Sequence, residues 1–198
     1  GNLAHWGGAV AATYGSSVSL EGCVLSQNQA TAYSPWSESG QGGAIHLDHS
    51  SLEMLASVCE ENRSSVGACI HGLDSPVTVT RSKILSNSAN EGGGISLMAW
   101  DQPSPVDIEG CLFSSNYASA MGGAVSLSPG AEPANIVNCT FFGNVSDGGG
   151  GALALLAGDI APVIVANSIF WDNSNPAIEE FSSYSSHQFE ACDIQATI

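Results

Sequence analysis

Met121-Gly-Gly-Ala-Val-Ser-Leu127 and, further along, Cys139-Thr-Phe-Phe-Gly-Asn144 are the two halves of a pattern that recurs through the chain. The first half returns as Gly7-Gly8-Ala9-Val10, Gly42-Gly43-Ala44-Ile45, Gly92-Gly93-Gly94-Ile95 and Gly150-Gly151-Ala152-Leu153, with a weaker copy at Val66-Gly67-Ala68-Cys69. The second half, an apolar residue three places before an asparagine, returns as Leu25/Asn28, Cys59/Asn62, Ile84/Asn87, Phe113/Asn116 and Phe170/Asn173. From Asn28 to Asn173 the successive separations are 34, 25, 29, 28 and 29 residues. A period of that size means one supersecondary unit per repeat, stacked on its neighbours.

Aligned on the asparagines, each repeat carries a strictly alternating apolar pair: Val18/Leu20, Leu52/Met54, Val77/Val79, Val106/Ile108, Ala134/Ile136 and Val163/Val165. Alternation of this kind marks a strand with one buried face. Small residues follow at Cys23, Ser57, Ser82, Cys111, Cys139 and Ser168, and the Gly-Gly-Ala segment supplies a third strand. With 23 glycines and recurrent period-two patterning, amphipathic helices are excluded. The repeats are also shorter than the blades of a propeller, which run to about 40–50 residues. The pattern predicts an all-β fold, a right-handed parallel β-helix of about seven turns with three short strands each. Residues 1–198 read as one segment of it. Gly1-Asn2 looks like the tail of a further motif, comparable to Gly143-Asn144, so the segment is expected to be an excerpt of a longer solenoid. The asparagines are expected to stack inside as a ladder: Asn28, Asn62, Asn87, Asn116, Asn144 and Asn173.

Charge limits the partners. Nineteen acidic residues face three basic ones (Arg63, Arg81, Lys83), for a net charge of −16. Such a chain cannot neutralise a row of phosphates, which excludes nucleic acid, and it is repelled by anionic membrane surfaces. No apolar run approaches the ~20 residues of a membrane helix, so no membrane insertion is expected.

The repeat also resembles that of the chlamydial-type polymorphic outer-membrane proteins. Gly-Gly-Ala-aliphatic followed by Phe-x-x-Asn carries the likeness, with Phe113-Ser-Ser-Asn116, Phe141-Phe-Gly-Asn144 and Phe170-Trp-Asp-Asn173 matching in full and Leu25, Cys59 and Ile84 standing in for the phenylalanine elsewhere. The resemblance implies an extracellular or cell-surface passenger with adhesive or structural roles. Its partners would be neighbouring coils or domains of the same parent protein, or surface and fibre proteins.

Four groups of residues are candidates for function. Leu112, Phe142, Ile169 and Trp171 alternate outward and would form an exposed apolar patch for packing against a partner. Tyr33, Trp36 and Trp100, in loops 29–41 and 98–105, have the flat rings that stack on sugars. They support an alternative reading as a carbohydrate-binding or polysaccharide-cleaving β-helix. Asp107 and Glu109 share one face of a strand, as glycosidic acid/base chemistry requires, but three basic residues cannot line a groove for an acidic polysaccharide, so no enzyme activity is expected. Of three glycosylation sequons, only Asn138 lies at an outward corner; Asn62 and Asn144 belong to the inward row.

No cofactor is expected. Weak calcium binding suits an acidic extracellular chain, although no loop has a calcium-ligand spacing. His46 and His49, with Asp48 between them, are close in sequence but fall on opposite faces of a strand, which argues against a shared metal. Cys111 and Cys139 stack in register at a separation unfavourable for a disulfide, whereas Cys59 and Cys69, on different strands of consecutive repeats, are open to either state. Finally, the outer side of the Gly-Gly-Ala strands (Ala9/Ala11, Ala44/His46, Gly94/Ser96, Ala124/Ser126, Ala152/Ala154) is expected to be a flat, small-residue surface suited to lateral packing.

Overall fold

The chain coils into three long parallel sheets, one strand from each in every turn. The computed structural model describes residues 1–31, 40–102, 104–128, 130, 132–156, 162–181 and 187–195. One turn shows the unit: Ile95–Met98, then Val106–Glu109, then Leu112–Ser114. Each strand pairs in parallel only with its counterparts one turn above and below, so the three sheets hold seven strands apiece. Seven strands span six steps, giving about six complete turns and a partial last one rather than the seven counted by repeat. Among the described residues there is no helix, and hence none long and apolar enough to cross a membrane.

A fourth paired row escapes the sequence pattern. Directly after the asparagines, Gln29–Ala30, Ser88–Glu91, Tyr117–Met121 and Val145–Ser146 are joined turn to turn, with Arg63 bridging Gln29 to Ser88. Its buried residues are Ala30, Ser64, Ala89, Ala118 and Ser146. They are small and partly polar, so no apolar alternation betrays the strand.

Every turn bends at four corners; three of them use a residue with left-handed backbone in each turn, and the fourth, after the Gly-Gly-Ala strand, uses one at Tyr14, His49 and Asp74. Before the asparagines these are Gln27, Glu61, Ser86, Ser115, Gly143 and Asp172, with φ between 53° and 61°. Before the Cys/Ser file they include Arg81 (φ 49°), Gly110 (φ 62°) and Asn138 (φ 57°). At the Gly-Gly corner the second glycine is required for a different reason. A Cβ on Gly123 would collide with the carbonyl oxygens of Gly151 and Val145, so two backbones meet where no side chain fits.

The interior is built from files of like residues. Phe113, Phe141 and Phe170 stack face to face with centroids 4.7 and 4.6 Å apart, the spacing of adjacent strands. Ile84, Cys59 and Leu25 continue that file into the earlier turns. Val77, Val79, Ile108, Ile136, Val163 and Val165 fill the opposite wall, each at most 1% exposed. At about 25 cal/mol per Å² removed from water, these files supply the main force holding the coil closed.

Hydrogen bonds fix the register. The backbone N–H and side-chain amide of Asn87 both donate to Oδ1 of Asn116, at 3.0 Å each, and the Asn87 amide also donates to the Cys59 carbonyl. The same arrangement links Asn28, Asn62, Asn87, Asn116, Asn144 and Asn173 in one continuous file, and Asn2 donates to Asn28 in the same way. Ser57 accepts from the Cys23 N–H, Ser82 from the Ser57 N–H, and Ser168 from the Cys139 N–H.

Cys59 and Cys69 are joined in a disulfide that crosses the core within one turn. Cys111 and Cys139 are buried free thiols, hydrogen-bonded to backbone carbonyls.

One expectation about the surface is overturned. Ala44, Ala124 and Ala152 do not face outward; they are 0% exposed and belong to the core. At the equivalent place a Cβ on Gly94 would touch Ile84 Cγ2, an interior atom. The glycine corner lets two consecutive side chains, Ala44 and Ile45, point into the angle, which breaks the alternation. The next outward row, His46, Ser96, Ser126 and Ala154, does lie outside the barrel but is covered. Trp6 stacks on His46, and Glu91 accepts from the Ser96 and Ser126 hydroxyls. Among the described residues of that outward row, Ala11 of the first turn is left exposed.

Candidate functional site

The chemistry of this coil is concentrated at the corner where the Gly-Gly-Ala strands end. Aligned on their strands, Tyr14, His49 and Asp74 occupy one corner position in three successive turns, all with left-handed backbone (φ 50°, 51° and 45°). Their outward side chains form a short file in which Tyr14 stacks on His49 at 6.3 Å. In the following turn the chain leaves the coil after Met98, and residues 100–102 fold back over the corner. The backbone N–H groups of Trp100 and Asp101 donate to Asp74 Oδ1 at 2.6 and 3.2 Å. That cover leaves the Asp74 side chain only 3% exposed.

His49 stands at the centre. Its Nδ1 lies 2.6 Å from Asp48 Oδ1, while its Nε2 lies 3.7 Å from Asp74 Oδ2 and 3.8 Å from Asp101 Oδ1. The hydrogen bond to Asp48 raises the His49 pKa above its ordinary value, with the charges of Asp48, Asp74 and Asp101 adding to it. Burial works against the charged form of Asp74, but the N–H groups of Trp100, Asp101 and Gln102 outweigh it and hold its pKa down. Beside this cluster opens a cleft of about 320 Å³, lined by Gly15, Ser16, Ser50 and Gln102 as well as His49 and Asp74.

His46 and His49 both lie outside the barrel rather than on opposite faces, and each finds its partner from another turn. His46 stacks on His71 at 5.2 Å in the covered elbow, with Nδ1 to Nδ1 at 3.2 Å, so one ring donates and the other accepts. Burial, and then the neighbouring His46, push the His71 pKa down to about 3. The sequence reading missed Asp74, Asp101 and the His46–His71 pair. Counting four residues on from Ile45 and from Ile70 would have placed His49 and Asp74 in one file.

The predicted patch lies on the outer face of the Phe-x-x-Asn sheet. Phe142 pairs in register with Trp171, and Ile169 neighbours them; they are 45%, 49% and 45% exposed. Leu112 is two turns from Ile169, with Thr140 between them, and is half-buried. Trp100 is 73% exposed beside the His49 corner, whereas Tyr33 and Trp36 lie outside the described residues. Asn138 is exposed; Asn62 and Asn144 are buried with their amides spent in the ladder. Asp107 and Glu109 line a shallow groove in which Asn135 donates to Asp107 at 2.8 Å. Among the described residues no Lys or Arg forms an ion pair with them or with any other carboxylate.

Comparison with known families gives one match: the family described as right handed beta helix region matches residues 2–161. No curated protein and no solved structure matches the chain.

Proposed function

Because the chain belongs to the right-handed β-helix family, we propose that it is a non-catalytic, extracellular structural or adhesive element of a cell-surface or secreted protein. The observation that carries this is the exposed strip of Phe142, Ile169 and Trp171 on a rigid sheet face. Apolar side chains held side by side in water on an inflexible surface favour contact with another surface. The occupant in this reading is a neighbouring coil or domain of a parent protein, or a surface or fibre partner. The Cys59–Cys69 disulfide supports an oxidising compartment, and the repeat's resemblance to polymorphic outer-membrane proteins supports a cell-surface setting. Paired carboxylates that, among the described residues, have no Lys or Arg ion-paired to them give little purchase on an acidic polysaccharide, which supports the non-catalytic half.

The test is attachment of protein-coated beads to cell layers, wild type against Phe142→Ser/Trp171→Ser, with polysaccharide breakdown measured alongside. Attachment lost in the double variant, with no sugar ends released, is the expected result. Turnover of any polysaccharide overturns the non-catalytic reading, and attachment indifferent to the variant removes the strip from it.

A second reading, sugar binding, is favoured by one observation: Trp100 stands 73% exposed at the rim of the cleft beside His49. A glycan array probed with wild type and Trp100→Ala decides it. Binding that disappears in the variant supports a lectin-like role, and an array without binding dismisses it.

A further inference from the structure

We infer that the His49 corner is a binding site for a divalent transition-metal ion, with His49 Nε2, Asp74 Oδ2 and Asp101 Oδ1 as ligands. This goes beyond the adhesive reading and does not depend on it. The three atoms belong to three successive turns and converge to within 4.8 Å of one another.

Their spacing suits a metal better than a proton. A charge-assisted hydrogen bond from a protonated imidazole would draw a carboxylate oxygen to about 2.7–2.9 Å. Nε2 instead stands 3.7 and 3.8 Å from its two carboxylates, with neither inside that range. Ligands bound at about 2.0–2.2 Å in a tetrahedron sit roughly 3.4 Å from each other, so a cation would shorten the two Nε2–carboxylate separations by a few tenths of an ångström. Asp101 can supply that movement, since its side chain is 71% exposed.

The surroundings carry the features of a built site. Nδ1 is engaged by Asp48 at 2.6 Å, which fixes the ring and turns the Nε2 lone pair toward Asp74 and Asp101. This carboxylate–imidazole–metal relay is how metal-binding histidines are oriented. Asp74 is a second, independent sign. Its carboxylate side chain is 3% exposed, with the backbone N–H groups of Trp100 and Asp101 on Oδ1 and with Oδ2 3.7 Å from Nε2. A buried charge of that kind calls for a positive partner.

Three carboxylates around one imidazole give the site the net negative charge a divalent ion requires. The nitrogen ligand and the small number of oxygens select a zinc-like ion over calcium, which takes six to eight oxygens. His49 and Asp74 also line the 320 Å³ cleft, which has room for a water or a ligand oxygen to complete the coordination. Metal binding would tie Asp101, and with it the neighbouring Trp100, to the corner of the coil.

The experiment is calorimetric titration of the metal-free protein with Zn²⁺ at neutral pH, together with Co²⁺ absorbance to report the geometry. Wild type should take up one tight equivalent and show visible Co²⁺ bands. His49→Gln should abolish that uptake. Asp48→Asn, which disturbs only the orienting bond, should weaken it about 10–100-fold while the Co²⁺ bands persist. Asp101→Asn provides a variant at an exposed position where folding is not at stake, and it should lose at least tenfold. Absence of a stoichiometric Zn²⁺ site overturns the inference, as does uptake unchanged in both His49→Gln and Asp101→Asn. Equal competition by Ca²⁺ overturns the assigned class of metal.

Discussion

Two corners of the same coil use the same backbone device for opposite purposes. At the asparagine corner a left-handed residue precedes an asparagine of the ladder in every turn, and the asparagine is what repeats. At the corner after the Gly-Gly-Ala strand a left-handed residue precedes Ser50 or Ser75, whose hydroxyls stitch neighbouring turns, but the left-handed residues themselves are Tyr14, His49 and Asp74. Inward positions must satisfy the turn above and the turn below, so they converge on one residue type. Outward positions touch only water or a returning loop, so they are free to differ, and chemistry accumulates there.

The largest effect should come from breaking the asparagine corner. Asn116→Ala removes the acceptor for the Asn87 N–H and the donor to the Ile84 carbonyl, both buried. Orphaned buried groups cost about 1–3 kcal/mol each, and a cavity is added, so a loss of about 4 kcal/mol is expected in urea unfolding. A loss below about 1 kcal/mol would mean the ladder decorates the coil rather than holding it.

His71 sharpens the comparison because it faces outward from its strand yet is covered like a core residue. Its folded pKa, about 3, lies well below the unfolded value near 6.5. The unfolded chain therefore binds the proton more readily, and stability falls as pH drops through that window. Between about pH 6.5 and pH 4.5 the loss should reach roughly 2 kcal/mol relative to His71→Gln, which removes this titration. Parallel pH profiles for wild type and variant would place His71 in water.

The same division explains how far the sequence could be read. The Phe113–Phe141–Phe170 file and the alternating pairs announce the coil because each inward position repeats a bulky residue type. The fourth strand was hidden because Ala89 and Ala118 are too small to stand out. The Gly-Gly-Ala face was misread because alternation holds along a strand but fails at a glycine corner, where Ala44 and Ile45 both turn inward. The His49 cluster was the least legible part. Asp74 joins it by register across 25 residues, and Asp101 only because the chain after Met98 folds back, a path that no periodicity encodes.

The smallest effect, and the one most diagnostic of the outward corner, is the pH response of His49 in metal-free protein. Asp48 raises its folded pKa above the unfolded value of 6.5. Its contribution is therefore fully present below pH 6.5 and disappears as pH rises through the folded pKa, opposite in sign to that of His71. The residue is exposed and its partners are screened by solvent, so the shift in Tm between wild type and His49→Gln should be slight. What identifies it is direction: wild type ahead of the variant in mild acid, and the two converging in mild alkali. A profile that slopes like that of His71 would mean His49 is neutral and covered, and the corner would then belong with the core, leaving the asparagine ladder without its counterpart.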